Sequence, residues 1–277
     1  MHFLRPKLLG HDAKLHNRMK KEYLIALLVL ALLAVLGAYF TLKGQSPETP
    51  SDSTASTTPT TTITGGGYTI EQFPVDDIRD SMPSLAHTIA FSDGVPAEVR
   101  ALIEKNAAAI VNKLEQDPTQ VSDWLQLALL YHTANDSKGA KEVWEFLVKV
   151  IPEDTTSYDN LGKLYHFNLK DYPKAESYFK QSIAIAPTSA TSYFELFTLY
   201  RYSYKKETTA AVDILAVWAK AVPQSPDPYF TLGLYYRDLG KIANAKVALT
   251  TAMDKARAAG NLDLMSQIGV ELQKLSP

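Results

Sequence analysis

The sequence contains no cysteine, which excludes a disulfide framework and a cysteine-linked lipid anchor. It also lacks the HExxH, GxGxxG, GxxxxGKS/T and GxSxG patterns that mark common metal, nucleotide and nucleophile sites. The formal net charge is −2, and much of the positive charge precedes an apolar run near the amino terminus, so nucleic acid is not an expected partner. The sequence therefore predicts a protein that is not an enzyme and needs no cofactor.

One pattern of apolar residues occurs four times between residues 124 and 249. In each instance an aromatic residue is followed by Leu three positions later, by a small or aromatic residue at the next position, and by Tyr seven positions after the first aromatic. About one helix later come an Ala and, four positions after it, a large apolar residue. Successive leading aromatics are 34, 35 and 36 residues apart. The instances are Trp124, Leu127, Ala128, Tyr131, Ala140 and Trp144; Tyr158, Leu161, Gly162, Tyr165, Ala175 and Phe179; Tyr193, Leu196, Phe197, Tyr200, Ala211 and Leu215; and Tyr229, Leu232, Gly233, Tyr236, Ala245 and Leu249. Because these spacings place the residues on one helix face, each instance predicts two packed helices.

These residues resemble the tetratricopeptide repeat, a helix-turn-helix unit with a period near 34 residues. The resemblance implies an all-α, right-handed superhelix of about four repeats within a domain spanning 96–277. A last helix with apolar residues along one side is predicted to cap the stack. The predicted repeats are 121–154, 155–189, 190–225 and 226–260, and the predicted capping helix is 261–275.

Two positions depart from the repeat pattern. Phe197 stands where the other repeats carry Ala or Gly, so we expect it to splay its helix pair or shift its register, and the stack to bend there. Arg257 stands where a proline ends the second helix of the other repeats, so the fourth second helix is predicted to continue to Gly260.

Residues 23–42 carry no charge and are long enough to cross a bilayer as a helix. Six basic residues precede this run, and Lys43 is the only basic residue in the thirty or so that follow. The tail 1–22 is therefore predicted to stay in the cytoplasm, and the repeats of this single-pass membrane protein to face the other side. Cleavage as a secretory signal is the alternative; the long amino-terminal region and the poor cleavage site favour a retained span.

The segment between the predicted membrane span and the repeats divides into two parts. Residues 43–67 are dominated by Ser, Thr and Pro and are predicted to form a flexible, disordered linker. Residues 68–95 contain too many apolar residues for a linker, and their prolines forbid one long helix. We expect an irregular arm that lies on the repeats.

The resemblance implies that the first helices of the repeats line a groove that binds a peptide or helix of a partner protein. The residues predicted to face this groove are His132, Asn160, Lys163, His166, Phe167, Phe194, Arg201, Tyr202, Phe230 and Arg237. Their aromatic and basic groups would suit a partner with apolar side chains and some acidic character. His132 and His166 follow the Tyr of adjacent repeats, but no third ligand is evident, so no metal site is predicted.

The sequence thus predicts a bacterial, membrane-anchored scaffold for protein–protein interaction. Its two partners are a protein bound in the groove and the lipid bilayer around residues 23–42. Two alternatives stay open. The chain is a structural or assembly factor of the cell envelope that self-associates, or it resembles the cytochrome c maturation factors, in which membrane-tethered repeats of this kind hold an apocytochrome peptide.

Overall fold

The computed structural model describes residues 63–64, 69–70, 78–206 and 208–275. The two short pieces form an antiparallel ladder, Ile63–Thr64 with Thr69–Ile70. The predicted tail 1–22, the predicted membrane span 23–42 and most of the predicted linker 43–67 lie outside the described residues. Among the residues that are described, no helix is both long and apolar enough to cross a bilayer.

Ten α-helices occupy the described part of the chain after residue 96. They are α1 Ala97–Gln116, α2 Val121–Thr133, α3 Ser137–Val150, α4 Thr155–Lys163, α5 Tyr172–Ile185, α6 Ala190–Tyr202, α7 Ala210–Ala221, α8 Asp227–Asp238, α9 Ile242–Ala258 and α10 Leu262–Lys274. A π-helical turn, Leu164–Asn168, continues α4. The all-helical solenoid predicted from the repeats is confirmed, whereas the right-handed sense of the superhelix stays a prediction.

The turn between the two helices of each repeat has the same backbone conformation in all four repeats. Its left-handed residue has a φ between 57° and 68° and recurs every 35 residues: Asn135, Lys170, Lys205 and Gly240. A left-handed residue ends a helix and reverses the chain. In two turns the next residue caps the second helix, since Asp136 accepts a hydrogen bond from the Gly139 N–H and Asp171 from that of Lys174.

Small residues let the two helices of a repeat approach closely. Gly233 of α8 lies against Leu249 of α9, and an added Cβ would be only 2.6 Å from Leu249 Cγ. Phe197, the exception in the pattern, is buried and makes an edge-on contact with Tyr235 of α8, with ring centroids 5.8 Å apart. The third repeat therefore directs an aromatic ring at the fourth where the other repeats have a small residue.

The described hydrophobic core forms two clusters that meet at α8. The first extends from Ile78 and α1 to Trp218 of α7, and the second fills the space between α9 and α10. Side chains of α8 are divided between them, because Leu232 packs on the first cluster and Tyr229 on the second. The core thus changes from one cluster to the other at α8, the first helix of the fourth repeat.

Residues 78–95 lie against the first repeat without forming a long helix. Ile78 is buried, and several later apolar side chains of this segment pack on the core. His87 Nε2 lies 2.6 Å from Asp136 Oδ2, and the Ala90 N–H donates to the same oxygen at 3.0 Å. Asp136 therefore caps α3 and also holds this segment.

Candidate partner-binding face

Ion pairs join the first helix of one repeat to that of the next on one side of the stack. We call this side the first-helix face; it is formed by α2, α4, α6, α8 and α10. The pairs are Lys163 with Glu195 (3.5 Å, α4 to α6), Arg201 with Asp238 (α6 to α8) and Arg237 with Glu271 (α8 to α10). Each of the three predicted basic residues is thus paired with a carboxylate from the next first helix. Their charges already link the repeats, and the preference for a partner with some acidic character stays a prediction.

Hydrogen bonds lower the pKa of two of these carboxylates, Asp238 and Glu271. The hydrogen bond from Arg201 lowers the pKa of Asp238, and a second bond from Arg237 adds to it against the opposing effect of burial. The hydrogen bond from Lys274, with one from Arg237, likewise lowers the pKa of Glu271. The Arg201–Asp238 and Arg237–Glu271 pairs therefore stay charged at neutral pH and hold α6, α8 and α10 together.

Arg201 is also enclosed by aromatic rings. Its guanidinium carbon lies 4.6 Å from the ring centroid of Tyr202, 5.4 Å from that of Tyr235 and 5.9 Å from that of Phe197. Such contacts attract a cation to the face of the ring. Arg201 is consequently part of the packing between the third and fourth repeats.

Three predicted residues present an aromatic ring to solvent. Phe167, Phe194 and Tyr202 are 50%, 48% and 58% exposed. Phe194 stands one helical turn before Phe197, with ring centroids 6.2 Å apart, and Tyr202 ends the same helix. Helix α6 thus presents two exposed rings, and aromatic side chains are enriched where proteins bind a partner.

Phe230 continues the first-helix face toward the carboxyl terminus. It is half-buried and, with Leu234 and Arg237 of α8 and Val270 of α10, lines a hollow of about 300 Å³. The hollow has room for an apolar side chain of a bound peptide. The predicted residue Asn160 lies on another helix of this face, α4, and is half-buried there.

The two predicted histidines differ in their surroundings. His132 is half-buried with its ring 5.5 Å from that of Trp144, and burial, with a smaller effect of Lys163, lowers its pKa. His166 is buried, and its Nε2 lies 2.7 Å from Ser203 Oγ. Burial, with a smaller effect of Lys170, lowers the pKa of His166. His166, predicted to line the groove, is instead buried at the contact between the second and third repeats.

Sequence reasoning missed Glu176, which links the same two repeats. This buried carboxylate of α5 accepts hydrogen bonds from Tyr200, Lys180 and Lys205, and Lys205 Nζ contacts both of its oxygens at 2.9 and 2.8 Å. Burial alone would raise the pKa of Glu176, but the three hydrogen-bonded partners outweigh it and lower the pKa to about 2. The sequence does mark this position, because Glu176 directly follows the pattern residue Ala175 and is the one acidic residue at that place in the four repeats. The others are Lys141, Val212 and Lys246.

A second buried carboxylate, Asp159 of α4, lies at the contact with α6. It accepts a hydrogen bond from Ser192 Oγ at 3.1 Å, and Ser192 Oγ lies 2.9 Å from Ser182 Oγ. Burial raises the pKa of Asp159 in spite of the hydrogen bonds from Ser182 and Ser192. Within residues 78–206 and 208–275, no group of three or more His, Cys, Asp or Glu side chains is arranged to hold a metal ion.

Comparison with known proteins gives matches for the repeats and for the fold. Residues 155–189 and 226–254 match the family model described as tetratricopeptide repeat. Similar solved structures include MamA, at 20% identity over 62% of this chain and 99% of that chain, with a TM-score of 0.46. A second is a thermophilic protein of these repeats from Thermus thermophilus, at 19% identity over 64% of this chain and 94% of that chain, with a TM-score of 0.43. A third is YrrB, described as having an unusual peptide-binding site, at 13% identity over 61% of this chain and 93% of that chain, with a TM-score of 0.41. No curated protein matches the chain significantly.

Proposed function

We propose that this chain of tetratricopeptide repeats is a membrane-anchored, non-catalytic scaffold that binds a peptide or helix of a partner protein. The observation that carries the proposal is the set of exposed rings on the first-helix face: Phe167, Phe194 and Tyr202. Buried aromatic side chains supply much of the binding energy at protein interfaces. These rings are half in water in the chain alone, so a partner that covers them would gain that energy.

The partner of this face has apolar or aromatic side chains. The basic residues Lys163, Arg201 and Arg237 are paired within the stack, so they offer little free charge to a ligand. A peptide that brings its own charges to the centre of the face would lose hydration without gaining a counterion. An extended or helical segment with apolar anchors avoids this cost.

Binding is tested by capture from solubilised membranes with the full chain in detergent. Phe194→Glu and Tyr202→Glu should each abolish capture of a discrete partner, while the helical circular dichroism signal persists. Val217→Glu on α7 is the matched control, because Val217 is 51% exposed and α7 does not belong to the first-helix face. Capture that survives both aromatic changes would place the interface elsewhere.

The membrane anchor and the side of the membrane belong to the same proposal. They rest on the uncharged run 23–42 and on the basic residues that precede it. A reporter enzyme that folds only outside the cytoplasm, fused after residue 277, should be active, and the chain should resist extraction by high salt. An inactive reporter, or a chain released by salt, contradicts this part.

The two alternatives from the sequence can be separated in the same preparation. Self-association predicts a mass in light scattering that rises with concentration when no partner is present. A role in cytochrome c biogenesis predicts that an apocytochrome peptide competes with the captured partner. A monomeric chain that apocytochrome does not displace leaves the general scaffold.

A further inference from the structure

The core stripe of the fourth repeat is partly uncovered, unlike that of the others. In the first three repeats the signature Leu is 1%, 0% and 0% exposed, at Leu127, Leu161 and Leu196. The equivalent Leu232 is only half-buried, although it belongs to the same pattern. The signature Tyr behaves likewise, since it is buried in the first three repeats and half-buried at Tyr236. A stripe that elsewhere forms core here faces an open space.

That open space is an apolar cleft over α8 with α7 and α9 as its walls. It comprises hollows of about 380 Å³ beside α7 and about 360 Å³ beside α9, which share Tyr229 and Leu232 as lining residues. The walls are mostly small or aliphatic side chains. They are Val212, Leu215, Ala216 and Ala219 on α7, and Ala243, Val247 and Ala248 on α9.

The dimensions of the cleft suit a helix. The floor residues Tyr229, Leu232 and Tyr236 span two helical turns, about 10.5 Å at 1.5 Å per residue. Small side chains along both walls let the backbone of a bound helix approach closely. Apolar residues at helical spacing on a bound helix would then meet these hollows, which is the usual mode of helix-in-groove binding.

Positive charges without carboxylate partners surround the cleft. Lys241 Nζ lies 5.9 Å from the ring centroid of Tyr236, Lys255 Nζ lies 5.2 Å from that of Tyr229, and Lys220 lines the wall on α7. In the part of the chain that the structure describes, none of these three lysines forms a salt bridge. The basic residues of the first-helix face, by contrast, are paired.

We infer that the cleft between α7 and α9 binds an acidic amphipathic helix of a partner protein. Its apolar side covers Tyr229, Leu232 and Tyr236, and its carboxylates meet Lys220, Lys241 and Lys255. This surface is separate from the first-helix face. On α8 the cleft residues point about 130° away from Phe230, Leu234 and Arg237, at 3.6 residues per turn.

The test uses the full chain in nanodiscs of zwitterionic lipid and two fluorescein-labelled peptides. Both peptides carry Leu along one helical side; the opposite side is Glu in one and Lys in the other. Fluorescence anisotropy should show the Glu peptide binding at least tenfold more tightly than the Lys peptide, with an affinity that falls as salt rises. Empty nanodiscs give the background.

Variants assign the binding to the cleft. Val247→Glu on the α9 wall should weaken the Glu peptide at least tenfold, and Lys220→Glu at least threefold. Phe194→Glu should leave its affinity unchanged within twofold, because Phe194 lies on the first-helix face. Capture of the discrete partner should show the opposite pattern: it should be lost in Phe194→Glu and kept in Val247→Glu. The two experiments therefore report on different surfaces, and either proposal can fail alone.

Several results would overturn the inference. These are equal affinities for the two peptides, an unchanged affinity in Val247→Glu, and binding to vesicles of anionic lipid that displaces the Glu peptide. Self-association of the chain that Val247→Glu abolishes would also overturn it, because a second copy would then occupy the cleft.

Discussion

Gly162 of α4 lies directly under the ring of Phe179 of α5. A Cβ placed at Gly162 would be 2.6 Å from Cδ1 of that ring, closer than non-bonded carbons approach. Phe179 is itself fully buried and cannot move aside without disturbing its neighbours. Gly162 and Phe179, two positions of the repeat pattern on different helices, thus contact each other directly.

Gly162→Ala should destabilise the protein by about 1–3 kcal/mol, the usual cost of overpacking. The loss comes from the displaced Phe179 ring and exceeds the gain in helix propensity from Ala, about 1 kcal/mol. Gly269→Ala on α10 is the matched control, since a Cβ there meets nothing within 4 Å. It should stabilise slightly. Urea denaturation of both variants checks this, and equal effects would contradict the close contact.

Glu176→Gln should cost about 2–3 kcal/mol at pH 7, because the amide cannot replace the charge that holds Lys180 and Lys205. The pKa of Glu176 in the folded chain is about 2, below the ordinary 4.5. Its contribution to stability is therefore complete above pH 4.5 and is lost as the pH falls toward 2. Denaturation midpoints of wild type and variant should converge over that range.

The control for this change is Glu142→Gln, which removes an exposed pair with Lys138 at 4.0 Å on α3. Exposed pairs of this kind contribute at most about 0.5 kcal/mol. A loss as small for Glu176→Gln as for Glu142→Gln would show that Glu176 does not link the second and third repeats.

Asp159→Asn should stabilise the chain at pH 7–8, by on the order of 1 kcal/mol. The pKa of Asp159 is raised by burial, so between the unfolded and the folded pKa the folded protein holds a proton that the unfolded chain has lost. Stability therefore falls as the pH rises from the unfolded pKa through the folded pKa, and Asn removes that fall. Thermal melts at several pH values should show the gain vanish below about pH 4. A gain that does not depend on pH contradicts the assignment.

Leu196→Ala and Leu232→Ala make the same change at equivalent positions of the third and fourth repeats. Leu196 is fully buried and its truncation should cost about 2–5 kcal/mol, whereas that of the half-buried Leu232 should cost about 1. Chemical denaturation of the full chain measures both. Equal costs would mean that the cleft over α8 closes in solution.

Much of the helical fold could be predicted from the sequence because it depends on local periodicity. The pattern from Trp124 to Tyr131 defines one buried side of one helix, and the small residue defines where the next helix touches it. The left-handed turn residue is less visible. Lys170 and Lys205 adopt a conformation usual for Gly, so nothing in their identity indicates the turn.

The properties of the candidate site were harder to predict because they depend on the register between repeats. Whether Lys163 meets Glu195 is decided by how α4 and α6 lie side by side, which no single repeat encodes. His166 is buried within a π-helical turn, and Leu232 is left half-buried beside the cleft. Both residues occupy ordinary positions in the repeat pattern.

Hydrogen–deuterium exchange of the full chain, with and without its captured partner, tests the central claim most directly. If exposed rings of the first-helix face bind the partner, backbone amides in 190–202 should exchange more slowly in the complex, and the protection should disappear in Phe194→Glu. Protection confined to residues outside the first helices, with 190–202 unchanged, would contradict the account.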